Sequence, residues 1–221
     1  MSKEKLPFPQ AILWDLDGTI LDTEKAHYLS WKEVLAERSI ELSKESFRLA
    51  FGGNNRRSLT QWLGITPSQD LIQEIAGRKE ALFRKNIQST THLFPQVVDW
   101  LAYFQGKGIA QALASSAPLE NIHTALDTFG LWIYFQQIIS GEELPSKPNP
   151  AIFLEAASQL GVKAQNCLVF EDSEPGLLGA QRAGMAVICK LGTIIEAPQY
   201  VSGAFLNFPK DPAAWLKKLF I

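Results

Sequence analysis

The chain has 221 residues, of which 46% are hydrophobic and 20% charged, so it is long enough for one large domain or a core with a modest insertion. This composition argues against a disordered polypeptide, a repeat array or a small fold that needs disulfides. The formal net charge is −2 and runs of like charge do not exceed pairs, so no footprint for nucleic acid or an acidic membrane stands out. We expect the partner to be a small solute.

The two cysteines, Cys167 and Cys189, lie in apolar runs, where a free thiol packs as a small hydrophobe. The N-terminal residues form no apolar stretch of signal-peptide length, and no run approaches the roughly 20 residues of a membrane span. We therefore expect a cytoplasmic protein that binds neither membrane nor nucleic acid, and we expect it to act as a monomer.

Short apolar runs between polar flanks are typical of buried strands, and the first run, residues 11–14, ends abruptly at Asp15. Spacings of three and four residues between apolar side chains predict helices, and glycine or a cap residue marks several of their ends. In chain order the predicted helices cover residues 24–38, 58–63, 68–85, 97–106, 119–129, from 149 onward, and 173–184. Further strands are predicted at 109–114, 135–139, 167–170 and 186–189.

Strands alternate with helices over most of the chain, which favours a parallel sheet covered on both faces, because each parallel pair needs a crossover. The helical stretch 24–93 has no place in that alternation. We expect an α/β protein with a Rossmann-like parallel sheet core, residues 1–23 and 94–221, and an inserted α-helical cap, residues 24–93.

Four polar clusters each follow a predicted strand directly or within a short loop. They are Asp15 with Asp17, Ser115 with Ser116, Lys147, and Glu171 with Asp172. In an open parallel sheet the loops beyond the carboxyl ends of the strands share one edge, where ligands bind. We therefore expect these clusters to converge in space.

Convergence would crowd several carboxylates together, and two such charges about 4 Å apart repel by roughly 4 kcal/mol at an effective dielectric constant near 20. A hard divalent cation with few protein oxygen ligands and retained water, which describes Mg²⁺, would offset this repulsion. A lysine and a serine beside the metal suit a phosphoryl group. The pattern predicts phosphoryl transfer, with Asp15 as the nucleophile and Asp17 as the general acid and base.

The same residues look like the four motifs of the haloacid dehalogenase superfamily, over about residues 12–187. The matching segments are Asp15-Leu16-Asp17-Gly18-Thr19-Ile20 with Asp22-Thr23-Glu24, Ser115, Lys147-Pro148, and Glu171-Asp172 with Gly176 and Ala180. The small helical cap after the first motif resembles the beta-phosphoglucomutase-like branch.

The resemblance implies a role for each matched residue. Asp15 would be the nucleophile and a Mg²⁺ ligand, and Asp17 would be the acid/base that lends its backbone carbonyl to the metal. Ser115 and Lys147 would bind phosphate. Asp172 would ligate the metal, with Glu171 supporting it directly or through water.

Two cap residues, His27 and Arg56, match positions that contact substrate in sugar-phosphate members. Gly52 stands where mutases place a lysine, and Leu119 where they place a polar phosphate contact. These departures weaken a mutase interpretation, and Asp17 speaks against carbon–halogen hydrolysis because the superfamily's dehalogenases lack it.

The resulting hypothesis is a Mg²⁺-dependent phosphatase acting through an aspartyl-phosphate on a small phosphorylated metabolite, for example a sugar phosphate. A hexose-phosphate mutase stays open as an alternative. A phospho-aspartate signalling module similar to receiver domains is a further one, although such modules are about half this length and lack a cap.

Overall fold

The computed structural model describes residues 5–50, 55–192, 194 and 196–221. The chain divides into two compact units, one made of the residues up to Asp22 together with Leu93–Ile221, and the other of Thr23–His92. In the described ranges, none of the helices combines the length and the apolar character needed to cross a bilayer.

The larger unit is built on a six-stranded parallel sheet with strand order β5-β4-β1-β6-β7-β8. The strands are β1 (Ala11–Trp14), β4 (Ala110–Ser115), β5 (Gln137–Ser140), β6 (Cys167–Glu171), β7 (Ala186–Lys190) and β8 (Gly203–Phe205). Strand β1 lies between β4 and β6, so the chain winds outward from it in both directions. A sheet of this kind has its ligand crevice at the carboxyl end of the strands where the winding reverses.

Helices cover both faces of this sheet, because strands buried on both sides need apolar partners on each. They are α5 (Val97–Gly106), α6 (Leu119–Phe129), α7 (Ala151–Gln159), α8 (Glu174–Arg182) and the short α9 (Pro212–Leu216). Residues of α7 and α8, among them Phe153 and Leu177, pack in one core cluster with Leu13 and Val169 of the central strands.

A second part of the core is aromatic. The rings of Trp14 and Phe170, on neighbouring strands, stack with centroids 4.2 Å apart. Trp100 of α5 meets Phe170 edge-on, and its indole N–H donates to the carbonyl oxygen of Pro209 at 2.8 Å. Since offset and edge-on aromatic pairs contribute beyond their buried area, this cluster holds β1 and β6 firmly where the polar loops begin.

The smaller unit, which we call the cap, consists of four helices in the described residues. They are α1 (Glu24–Ala36), α2 (Lys44–Ala50), α3 (Asn55–Leu63) and α4 (Gln69–Thr90). Trp31, Leu35, Phe47, Leu59 and Ile75 belong to its apolar core. The chain enters and leaves the cap through β2 (Leu21–Asp22) and β3 (His92–Leu93), which pair as a two-stranded sheet.

The predicted α/β class is confirmed by the parallel sheet and its covering helices. Several details differ from the sequence prediction, among them the length of α4, which extends to Thr90 instead of residue 85. Strand β5 begins at Gln137 rather than at residue 135, because residues 132–134 form a 3₁₀ turn. Helix α2, strands β2, β3 and β8, and helix α9 were not predicted from the sequence.

Candidate active site

The polar clusters of the sequence meet at the carboxyl edge of the sheet. Asp15 directly follows β1, Ser115 ends β4, Glu171 ends β6, and Asp172 follows it. Lys147 reaches the same place from the loop between β5 and α7. Side chains from four distant stretches of the chain therefore share one site, as their positions after strands predict.

Lys147 is the centre of the ionic contacts. Its Nζ donates to Oδ1 of Asp15 and to Oε1 of Glu171, each at 2.6 Å, and it lies 5.1 Å from the ring centroid of Phe153. Burial lowers the pKa of this lysine, but the two carboxylates outweigh that effect and hold the pKa above its ordinary value. Lys147 is therefore a fixed positive charge beside Asp15.

Asp15 is 6% exposed. Burial raises the pKa of its carboxyl well above the ordinary value, Lys147 acts in the opposite direction, and the charges of Glu171, Asp172 and Asp17 raise it further. Too little positive charge is present to balance the carboxylates gathered here. A carboxyl whose pKa is shifted this strongly by burial and by neighbouring charges is typical of functional sites.

Glu171 is 1% exposed and is held by both of its oxygens. Oε1 accepts from Lys147, while Oε2 accepts from the backbone N–H of Asp172 at 2.8 Å, and from the N–H and hydroxyl of Ser173 at 2.8 and 2.9 Å. At Gly176 of α8, a Cβ would overlap this carboxylate. The absence of a side chain at Gly176 therefore leaves the space that the Glu171 carboxylate occupies. From there Glu171 holds the Lys147 ammonium.

Asp172 lies against the loop that follows β1, at Gly18 and Thr19. A Cβ on Gly18, which has φ +83°, would overlap its carboxylate. The hydroxyl of Thr19 donates to Oδ1 of Asp172 at 3.4 Å. Gly18 therefore permits the turn and leaves room for the Asp172 carboxylate. Thr19, the next residue, contacts that carboxylate.

Asp15, Glu171 and Asp172 each offer one carboxylate oxygen within 4.8 Å of the others. Hard oxygen donors in this number fit Mg²⁺, and the excess of negative charge around Asp15 fits a cation as well. Asp17 is half-buried and forms a bridge with Leu21, and its carboxylate is not one of the three. The predicted use of its backbone carbonyl stays a prediction.

Ser115 is 1% exposed, and its Oγ accepts a hydrogen bond from the N–H of Ala117 at 3.1 Å. A small cavity of about 50 Å³ opens beside it. Its lining consists of Ser116, Gly141, Pro145, Ser146, Lys147 and Ile152. The Lys147 ammonium and the hydroxyl-bearing residues at 116 and 146 suit an anion more than an apolar ligand.

His27 lies in α1 and makes its described contacts within the cap. Its Nδ1 is 2.9 Å from Nζ of Lys79, and its ring stacks on Phe83 with centroids 4.5 Å apart. Lys79 is 4% exposed and pairs with Glu80 at 2.9 Å. The burial of Lys79 was not predicted, because a lone lysine in a helical pattern resembles a solvated residue.

Arg56 is exposed at its position in α3 and also contacts its own unit. It donates to the carbonyl oxygen of Pro67 at 3.1 Å and to Oε1 of Gln69 at 2.8 Å, and so joins α3 to the start of α4. Gly52, one of the departures from the mutase pattern, lies outside the described residues. Leu119, the other, is 42% exposed at the start of α6.

Residues 12–190 match the family model of haloacid dehalogenase-like hydrolases. The match covers most of the chain and includes every residue of the carboxyl-edge site. The chain belongs to this family. The predicted superfamily and the prediction of an enzyme, a hydrolase, are confirmed.

Curated relatives of this haloacid dehalogenase-like hydrolase match more than four fifths of its length. It is 28% identical over 187 residues to phosphoglycolate phosphatase of Nitrosococcus oceani, covering 82% of this chain and 83% of that one. It is also 28% identical over 198 residues to hexitol phosphatase B of Escherichia coli K12, covering 86% and 84%.

Among solved structures, beta-phosphoglucomutase from Clostridium difficile superposes with a TM-score of 0.81 at 22% identity, covering 96% of this chain and 97% of that one. At this level of identity the likeness concerns the fold, and it agrees with the predicted beta-phosphoglucomutase-like architecture of the hydrolase.

Proposed function

We propose that this protein is a Mg²⁺-dependent phosphatase that hydrolyses a small phosphorylated metabolite through a covalent phosphate on Asp15. The observation that carries the proposal is the position of Asp15, which is buried, contacts the Lys147 ammonium at 2.6 Å and has a carboxylate oxygen within 4.8 Å of oxygens of Glu171 and Asp172. A carboxylate between a fixed cation and a metal site is suited to attack phosphorus, since both positive charges screen the incoming phosphoryl oxygens.

The relatives support the same class of substrate. Their names specify phosphoglycolate and hexitol phosphates, which are small phosphate monoesters. The small cavity at Ser116 and Lys147 is lined by the lysine whose ammonium contacts Asp15, so an anion held there by Lys147 would lie near the proposed nucleophile. The identity of the rest of the substrate is a matter for direct assay.

Asp15, Asp172 and the backbone carbonyl of Asp17 would hold the metal, and Glu171 would fix Lys147 and the start of α8. When bound, Mg²⁺ would neutralise carboxylate charge and polarise a phosphoryl oxygen. Lys147 would bind a second phosphoryl oxygen, and Ser115 a third. Such fixed charges stabilise a transition state without reorganising as the charge develops.

In the first step an oxygen of Asp15 would form a bond to phosphorus while the bond to the ester oxygen breaks. Asp17 would give its proton to the departing oxygen, so that an alcohol leaves. In the second step Asp17 would take a proton from water as that water attacks the aspartyl phosphate. Inorganic phosphate is released and the carboxylate of Asp15 is restored.

The test is the release of inorganic phosphate from a panel of phosphorylated metabolites, including phosphoglycolate, hexitol phosphates and pentose and hexose phosphates. We expect turnover of at least one ester with Mg²⁺ and none with excess EDTA. The Asp15→Asn variant should lose activity by about 10³-fold or more, because the nucleophile is gone.

Lys163→Met is a matched control, since Lys163 is an exposed lysine of the same unit outside the site. It should retain parent activity. Full activity in EDTA, or Asp15→Asn activity within about tenfold of the parent, would contradict the proposal. Conversion of a hexose phosphate to its isomer without net phosphate release would favour the mutase alternative.

A further inference from the structure

Lys190 is a second buried lysine at the carboxyl edge, and the sequence analysis gave it no role. It ends β7 and is 4% exposed. Strands β6 and β7 pair in parallel up to Glu171 and Cys189, so the next residues of the two strands are Asp172 and Lys190. A lysine therefore follows the strand that neighbours the acidic cluster.

The Lys190 ammonium is held by contacts with its own loop and with an aromatic ring. Its Nζ donates to the carbonyl oxygen of Leu191 at 3.3 Å and lies 3.6 Å from the ring centroid of Phe94. Asp172 is oriented on its other side by the close approach of Gly18 and by the Thr19 hydroxyl.

The charges of the site nevertheless act on this lysine. Burial lowers its pKa, and the carboxylates of Asp172 and Asp22 oppose that effect through their negative charge. Coulomb interactions are mutual, so the positive charge of Lys190 acts in turn on whatever is bound at Asp172. The carboxylate attracts a divalent cation there, and the ammonium repels it.

We propose that Lys190 sets the Mg²⁺ affinity of the site, weakening it through charge repulsion from the strand next to Asp172. The inference rests on the proposed function, because it assumes that the acidic cluster binds Mg²⁺. Its consequence is that the site binds Mg²⁺ less tightly than the carboxylates alone would. Lys190 thus acts on the metal site through its positive charge, and this role requires no contact with substrate.

The size of the effect can be estimated to an order of magnitude by assuming a charge separation of roughly 10 Å. With the dielectric constant of water, a unit charge and a divalent ion roughly 10 Å apart repel enough to change a dissociation constant about fourfold. A lower effective dielectric constant at a buried site increases the factor, and salt reduces it. A neutral residue at position 190 should therefore tighten binding measurably at low ionic strength.

The experiment is isothermal titration calorimetry of the full chain with MgCl₂, free of substrate and at low salt. Lys190→Met and Lys190→Gln both remove the charge while retaining most of the side chain, so that either one suffices if the other does not fold. We expect each to lower the Mg²⁺ dissociation constant about fourfold or more. Added salt should shrink that difference.

Two controls separate charge from packing. Lys190→Arg keeps the charge and should bind Mg²⁺ within about twofold of the parent, as should the distant Lys163→Met. Unchanged or weaker binding in both neutral variants would overturn the inference. A parent protein that binds no Mg²⁺ would instead overturn the proposed function, so the two failures are distinguishable.

Discussion

At the scale of single residues, the two aspartates of the first motif have different surroundings. Asp15 is buried against Lys147, whereas Asp17 is half-buried and its carboxylate lies outside the group formed with Glu171 and Asp172. A nucleophile needs fixed neighbours, while an acid/base that serves substrate and water needs access to both. The division of roles proposed from the sequence follows this difference.

Asp17→Asn removes a transferable proton but keeps the shape of the side chain. We expect it to slow both half-reactions, each by about 10²–10⁴-fold, because both require a proton at the same atom. Rapid-quench measurement of phosphoenzyme formation and breakdown checks this. Breakdown at the parent rate would remove Asp17 from the second step.

The convergence of the polar clusters could be predicted from the sequence, whereas the burial of Lys79 and Lys190 could not. Asp15, Ser115, Lys147 and Asp172 directly follow apolar runs or stand in their loops, so the parallel-sheet rule was enough to bring them together. Lys190 also directly follows a predicted strand, residues 186–189, but it is a single lysine and was not grouped with the other polar clusters. Its burial and its contact with Phe94, far away along the chain, became visible only in the structure.

At the scale of secondary structure, helix α8 packs closely against the Glu171 carboxylate because Gly176 has no side chain. Gly176 lies in its first turns, and Ser173 caps it by accepting from the N–H of Gly176 at 3.2 Å. The close approach places the Glu171 carboxylate where it accepts from the backbone and from Lys147 together. Helix α8 is therefore part of the active-site support.

Gly176→Ala should force the Glu171 carboxylate or the helix to shift. Overpacking of this kind costs about 1–3 kcal/mol in the free energy of unfolding, and activity should fall as Lys147 loses its alignment. Chemical denaturation and kcat measure the two effects.

Gly77→Ala is the matched control, since Gly77 is also a helical glycine and an added Cβ meets nothing within 4 Å. It should be neutral or stabilising by up to about 1 kcal/mol. Equal effects of the two alanine variants on the free energy of unfolding and on kcat would show that the Glu171 carboxylate does not need the space at Gly176.

The secondary structure also shows where sequence patterns stop being informative. Strand β1 is an apolar run, and β6 and β7 are apolar except for their last residue, so all three were predicted within a residue or two. Helix α2 contributes Phe47 as its buried residue, so its seven residues carry almost no periodic signal. Strands β2 and β3 have two residues each, and their pairing depends on a partner about 70 positions away.

At the scale of the whole molecule, folding gathers Asp15, Glu171 and Asp172 in one buried place against the Lys147 charge. Their mutual repulsion opposes the folded state, and a cation bound only to that state would relieve it. The proposed metal site should therefore be visible in the stability of the protein as well as in its activity.

We expect Mg²⁺ to raise the thermal unfolding midpoint relative to EDTA. At a concentration about 100 times the dissociation constant, the stabilisation is about 2.7 kcal/mol. Asp172→Asn should abolish most of the shift, and Lys163→Met should leave it intact. Equal midpoints with Mg²⁺ and EDTA in the parent protein would count against a metal at the cluster.

The most direct measurement of the central claim is a crystal structure of the protein with Mg²⁺ and beryllofluoride, which mimics a phosphoryl group on a carboxylate. We expect beryllium bonded to an oxygen of Asp15, with Mg²⁺ ligated by Asp15 and Asp172 and with Lys147 in contact with the fluoride ligands. Beryllofluoride on another side chain, or Mg²⁺ bound away from Asp172, would contradict it.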